Sequence, residues 1–366
     1  MDSVEKPNKD PIREQAPIPR HGESSSSGDE MTITHNEHPL HAEHGVLIDD
    51  LTHMRTVEEE YAAHHEYLWP RIRHHLREPF MEFMGTFTMI VFGDGSVAQV
   101  LLSANPNLPA SSQNKGDYQS ISWGWGIGVM LGIYVAGGAG GHLNPAVTMC
   151  MCIYRKFPWK KLIPYAIAQV LGCFCGAAVI YGNYKSAIDE FEGGAGIRTV
   201  PGYSETATAG VFNTYPQPFL SKTGQVFSEI IASTILIFVI FALKDDGNLG
   251  AGDKTPLMLF FLIFGIGATL GWETGYAINL ARDFGPRLFT YCVGYGPNVW
   301  KAGDYYFWVP MVCPFIGTAF GGFLYDLLIF TGESPINTPW IGVKRIVRPN
   351  RKSQKTVAAG NPVKQV

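Results

Sequence analysis

Between Met81 and Phe330 six apolar stretches follow one another: Met81 to Leu102, Ile121 to Ala139, Leu162 to Tyr181, Val226 to Leu243, Pro256 to Leu270 and Tyr306 to Phe330. Each is close to the roughly 20 residues a helix needs to cross about 30 Å of hydrocarbon. A chain patterned in this way has few options. The bilayer interior offers no partner for a backbone N–H or C=O, so every stretch must satisfy its own backbone as a helix. Two further apolar pieces, which follow Asn144 and Asn279, are too short to span and are expected to form re-entrant half-helices. The expected fold class is an all-α membrane protein with six transmembrane helices and two half-helices.

Only 16% of the 366 residues are charged, and they crowd into the two ends and a few short loops. A net charge of −4, with no block of interleaved Lys, Arg and aromatics, excludes a nucleic-acid groove. The cysteines (Cys150, Cys152, Cys173, Cys175, Cys292, Cys313) lie in or beside apolar segments, where a free thiol behaves as a small hydrophobe. Their spacing suits neither a disulfide framework nor zinc, so no metal and no cofactor are expected.

Residues 1–67 are rich in Pro, Ser, His and acids and too poor in apolar matter to form a core, so a disordered tail is expected there. Within it His35, His38, His41 and His44 recur every third residue, open to reading as a metal or proton sensor or as a solvated tail interrupted by Pro39. No secretory signal precedes the first span, which is expected to direct insertion itself. With the N-terminus inside, Arg71, Arg73, Arg77, Arg155, Lys156, Lys160, Lys161, Lys244, Lys254 and the cluster from Lys344 to Lys352 all fall on the cytoplasmic side. Both termini are therefore expected in the cytoplasm, flanking a membrane domain at 68–335, with a C-tail at 336–366.

The membrane domain reads as two related halves, about 80–182 and 225–330. Each opens on a span with an early acid, Glu82 or Glu229, and each carries a Gly-Ile-Gly before an Asn-x-Ala turn, Asn144-Pro145-Ala146 or Asn279-Leu280-Ala281. Three spans per half is an odd number, so the halves insert with opposite orientation about a pseudo-two-fold axis, and Asn144 and Asn279 are expected to meet at mid-depth. An Asn capping a half-helix accepts from the free N–H groups through its side-chain oxygen and keeps its NH2 as a donor to a lumen; Pro145 at the first helical position loses no hydrogen bond. Two helix N-termini facing each other repel cations, protons included. Glycines at helical spacing (Gly124, Gly128, Gly132; Gly172, Gly176; Gly267, Gly271; Gly317, Gly321) predict close helix crossings.

The strings GHLNPAVT and GYAINLARDFGPR, with the two acids and six spans, resemble the major intrinsic protein superfamily of aquaporins and aquaglyceroporins over about Phe80 to Phe330; the long tails and the NLA turn are most similar to fungal aquaglyceroporins. The resemblance implies an aquaporin-like bundle, an inverted repeat and a homotetramer in the plasma membrane. It implies a passive channel for glycerol, other small uncharged polyols and water that excludes ions, with no enzymatic activity. It also implies an outer constriction of Trp125, Gly267, Tyr276 and Arg282. Water-selective relatives have His at the position matching Gly267, so glycine there implies a wider opening. The loop before Asn144 is one residue shorter than usual, which leaves Trp123 as an alternative to Trp125. Glu82 and Glu229 match buried acids that hold the loops, with an interfacial anchor as the other reading. His142 matches a residue of the inner vestibule. Asp283, Arg287 and Pro310 match glycerol-facilitator spellings, or else form a loop ion pair and a helix kink. Leu280 stands where Pro is usual, which removes a preset φ beside Asn279.

The alternatives are a water-selective channel, a secondary transporter, an intramembrane enzyme and a sealed homologue. Apart from Glu82 and Glu229 the spans are read as lacking acids for a proton or sodium relay, and a membrane body with His142 as its one histidine offers no nucleophile and base pair. The N-tail and the segment around His64 to His75 are expected to restrict flux.

Overall fold

The computed structural model describes residues 67–338. The tail expectations, with His35, His38, His41, His44 and the basic cluster from Lys344, lie outside the described residues. Ten α-helices follow in order: α1 (Leu68–His75), α2 (Arg77–Ser103), α3 (Tyr118–Ala136), α4 (Pro145–Tyr154), α5 (Leu162–Phe191), α6 (Lys222–Leu243), α7 (Thr255–Leu270), α8 (Leu280–Thr290), α9 (Asn298–Tyr305) and α10 (Trp308–Leu328). Six of them, α2, α3, α5, α6, α7 and α10, are long and apolar enough to cross a bilayer. The short α4 and α8 each begin on one of the two predicted asparagines. Among the described residues all regular structure is helical.

Local chemistry sets the helix starts. Asp117 caps α3 in a capping box with Ser120, and Ser221 caps α6 by accepting from the Gly224 N–H. Several boundaries differ from the expectation, two of them informatively. α2 begins at Arg77, preceded by the separate basic helix α1, and α5 runs on to Phe191 rather than ending at Tyr181. The added turns of α5 are polar and carry the i,i+4 pair Lys185 and Asp189, 2.9 Å apart, so a hydropathy reading stops before them.

Packing follows the repeat. α2 lies against α3 and α5, and α6 against α7 and α10, while the last span of each half packs on the half-helix of the other: α5 on α8, α10 on α4. Helices in lipid gain little from the hydrophobic effect, so their association rests on close van der Waals contact. Two matched crossings show how close. A Cβ at Gly172 would lie 2.2 Å from the Phe83 carbonyl oxygen, and one at Gly321 2.3 Å from that of Thr234, so only glycine fits where the third span of each half crosses the first. Large side chains such as Ile163, Phe227 and Leu328 point outward and remain exposed, which leaves an apolar belt around the bundle.

Candidate functional site

The asparagines build the centre. Asn144 Oδ1 accepts from the Ala146 N–H at 2.9 Å, and Asn279 Oδ1 from those of Ala281 and Arg282 at 2.9 and 3.3 Å. Each amide nitrogen also reaches across the pseudo-two-fold: Asn144 Nδ2 donates to the Ile278 carbonyl at 2.8 Å, and Asn279 Nδ2 to the Leu143 carbonyl at 2.7 Å. The expected donation to a lumen is thereby halved, because one of the two protons on each nitrogen ties the halves together and one is left over. Leu280 leaves this geometry intact: Asn279 has the extended backbone of a cap (φ −154°, ψ 114°), matching Asn144 (φ −156°, ψ 121°).

The carbonyls that receive these bonds are presented by strained residues. Leu143 and Ile278 have φ of 52° and 44°, a region that bulky and β-branched side chains rarely enter and that costs about 1–3 kcal/mol. Two fully buried acids offset this. Glu82 accepts from the His142 and Leu143 N–H groups, both at 2.8 Å, and from Gln169 Nε2 at 2.7 Å. Glu229 accepts from the Ala277 N–H at 2.9 Å, the Ile278 N–H at 2.8 Å and the Thr274 hydroxyl at 2.8 Å. Both acids therefore sit behind the turns, buried inside the bundle.

A cavity of about 670 Å³ runs past these turns, from Trp125, Tyr276 and Arg282 at one end, by Asn144 and Asn279, to His142, Lys244 and Asp253 at the other. Arg282 is buried, with its guanidinium carbon 3.9 Å from the centre of the Trp125 ring and Nη1 donating to the Phe212 carbonyl at 3.2 Å. Of the two candidate tryptophans, Trp125 is the buried one. Trp123 is 49% exposed on the outer face, against Phe260 and Phe264.

Gly267 lies beneath the ring of Tyr276. It does not face the cavity: a Cβ there would lie 2.9 Å from both Cζ and Oη of Tyr276. The ring of Tyr276 occupies the space over the glycine.

Against known proteins, the sequence model of the family described as Major intrinsic protein matches residues 71–325. The chain belongs to the major intrinsic protein family. Aquaglyceroporin-9 of Botryotinia fuckeliana is 60% identical over 91% of this chain and 71% of the relative. The probable aquaglyceroporin-2 of Gibberella zeae is 63% identical over 81% of this chain and 86% of its own. Among solved structures, the aquaglyceroporin from Plasmodium falciparum matches with a TM-score of 0.59 and 32% identity, over 69% of this chain and 96% of that one.

Within this major intrinsic protein the remaining predicted residues fall into two groups. His142 lines the cavity, with Nδ1 3.2 Å from the Thr148 hydroxyl and its ring edge-on to Phe157. Asp283 and Arg287 stand apart from it, in a fully buried ion pair at 2.7 Å that fastens the segment before α6: Arg287 donates to the Thr214 and Val299 carbonyls, and Asp283 accepts from the Thr214 N–H. Pro310 sits in the first turn of α10, where a missing N–H leaves no gap, so it does not kink the helix; the interior proline is Pro314.

Sequence reasoning passes over two acids. Asp94 in α2 and Asp326 in α10 are both buried, so the reading that Glu82 and Glu229 are the acids of the spans is corrected. Asp326 is held bidentate by Arg155 at 2.9 and 2.7 Å, with that guanidinium also over the Phe241 ring. Asp94 faces Arg282. Single acids inside otherwise apolar runs are the available signal, and window averages suppress it.

Proposed function

We propose that this chain is a passive channel through which glycerol, other small uncharged polyols and water diffuse across a membrane while ions and protons are held back. The observation that carries this reading is one cavity lined in succession by Trp125, Tyr276 and Arg282, then by the two capped asparagines. Trp125 and Tyr276 offer apolar faces to the C–H edge of a polyol, and Arg282 with the remaining amide protons offers donors to its hydroxyl edge. Such donors replace hydration without trapping the solute. A cation meets the Arg282 charge and then two half-helix N-termini. The aquaglyceroporin relatives support polyols over water alone.

The same reading assigns the filter to Trp125, Gly267, Tyr276 and Arg282, with Gly267 acting through Tyr276. Loop support goes to Glu82 and Glu229, and the inner vestibule to His142. It takes the protein to be a lipid-embedded homotetramer of the plasma membrane, with 68–335 as the channel domain between cytoplasmic tails. The basic residues on the loops at the Lys244 end support that orientation.

The test is light scattering from liposomes that hold the purified protein, under an inward glycerol gradient and then a sucrose gradient. Glycerol and water should both equilibrate faster than in empty liposomes. Glycerol flux equal to the empty control sinks the polyol reading, and water acceleration alone makes the protein a water channel. A saturable rate coupled to an ion gradient makes it a transporter.

A further inference from the structure

Asp94 lies within α2 at 0% exposure, and neither carboxylate oxygen accepts a hydrogen bond from the described residues. Its ion-pair partner is Arg282, with Nη1 3.9 Å from Oδ1. That separation is too long for a direct hydrogen bond and short enough for one bridging water. A carboxylate in the bilayer core is costly, and an apolar side chain would pack at a helix crossing at least as well, so an acid kept here points to a task.

The surroundings identify the task. The Arg282 guanidinium is bounded by the Trp125 ring at 3.9 Å, by the Phe212 carbonyl at 3.2 Å and by the Asp94 carboxylate. Arg282 and Trp125 line the cavity and Asp94 does not, so the carboxylate addresses the guanidinium from behind. The neighbouring residue seats the other member of the stack: a Cβ at Gly93 would lie 2.5 Å from the Trp125 ring. Two consecutive positions of α2 thus prepare both halves of one contact, Gly93 by leaving room for the indole and Asp94 by drawing on the cation.

We propose that Asp94 is a positioning residue of the filter: its carboxylate holds the Arg282 guanidinium flat on Trp125, away from the lumen, and offsets the positive charge. The filter then presents donors to a neutral polyol with part of the Arg282 charge offset from behind, and the remainder still faces a cation. The inference rests on the assignment of Arg282 to the filter. Without the carboxylate, the guanidinium leaves the Trp125 face and projects into the lumen. There it narrows the passage for a carbon chain more than for water and holds each hydroxyl longer.

The experiment is a double-mutant cycle read as the ratio of glycerol to water permeability in the same liposomes, which does not depend on how much protein is inserted. Asp94→Asn is expected to lower the ratio about threefold or more, a modest share of what a broken buried charge pair can release. Asp94→Ser removes the carboxylate from a smaller side chain, and it gives the same reading if the Asn variant does not fold. In the Arg282→Ala background neither substitution should move the ratio further. Equal shifts in both backgrounds, or water and glycerol falling in proportion, mean that Asp94 is only structural and overturn the proposal. If Arg282→Ala changes the ratio and the Asp94 variants do not, this inference fails alone. If Arg282→Ala leaves the ratio unchanged, the filter assignment fails first.

Discussion

Replacing Glu229 by Gln removes a charge and alters little else in shape, and the hydrogen bonds of this carboxylate determine how the turn responds. The carboxylate accepts at both oxygens, from the Ala277 N–H and Thr274 hydroxyl on one and from the Ile278 N–H on the other. An amide has one oxygen, so in either orientation its NH2 confronts a backbone N–H. A charge-assisted bond worth about 1.5–3 kcal/mol is lost and a buried donor is left unpaired at about 1–3 kcal/mol, so the substitution destabilises the turn by roughly 2.5–6 kcal/mol. The strain at Ile278, about 1–3 kcal/mol, then goes unopposed. As the turn relaxes, the Ile278 carbonyl withdraws from Asn144 Nδ2 and the centre of the lumen loses its cross-link. A residual imbalance of about 1.4 kcal/mol already shifts the turn population about tenfold. Glycerol and water flux in liposomes should therefore both fall by at least about tenfold, and the thermal unfolding midpoint in detergent should drop. Thr274→Val, which deletes one hydroxyl donor and leaves both backbone N–H groups paired with the carboxylate, is the control and should keep more of the flux than Glu229→Gln. Wild-type flux with an unchanged midpoint in Glu229→Gln would refute the reasoning.

Gly267→Ala should push the Tyr276 ring into the lumen, since the new Cβ would sit 2.9 Å from ring Cζ; glycerol flux drops more than water flux, and adding Tyr276→Leu restores it, as scattering under the two gradients will report. Arg287→Ala strands the fully buried Asp283, a loss of about 3–5 kcal/mol; the segment around Thr214 should become protease-sensitive, and wild-type resistance would contradict its tethering role. Deleting the residues before Tyr67 should raise glycerol flux and alter its pH dependence if the tail restricts the channel; identical flux and profile remove that idea.

The architecture is legible in the sequence because the bilayer forces it: apolar runs of spanning length admit one backbone solution, and two Asn turns in matching places require an inverted pair. Contacts at right angles to that pattern are not legible. Hydropathy says nothing of α5 beyond Tyr181, where the chain stays helical in polar surroundings. Nor can the resemblance decide between Trp123 and Trp125 across a shortened loop; burial and the Arg282 stack separate them. Gly267 stands out in the sequence, but the group that fills the space above it depends on the path of the turn that carries Tyr276, nine positions further on. Asp94 is the clearest omission, since its partner lies in the other half of the chain.

The crossed bonds between the turns also set a timetable. Asn144 Nδ2 finds its acceptor at Ile278, 134 residues later in the chain, and Asn279 returns the bond to Leu143. At about 5–20 residues per second, a ribosome needs on the order of ten seconds to deliver that partner. If the first half inserts before the second is made, α4 can form its cap locally, but the outward amide of Asn144 has no partner through that interval. The lumen closes only when the second half arrives to supply the Ile278 carbonyl and the Asn279 amide. Substitutions that slow synthesis or insertion between Tyr154 and Asn279 would lengthen that interval.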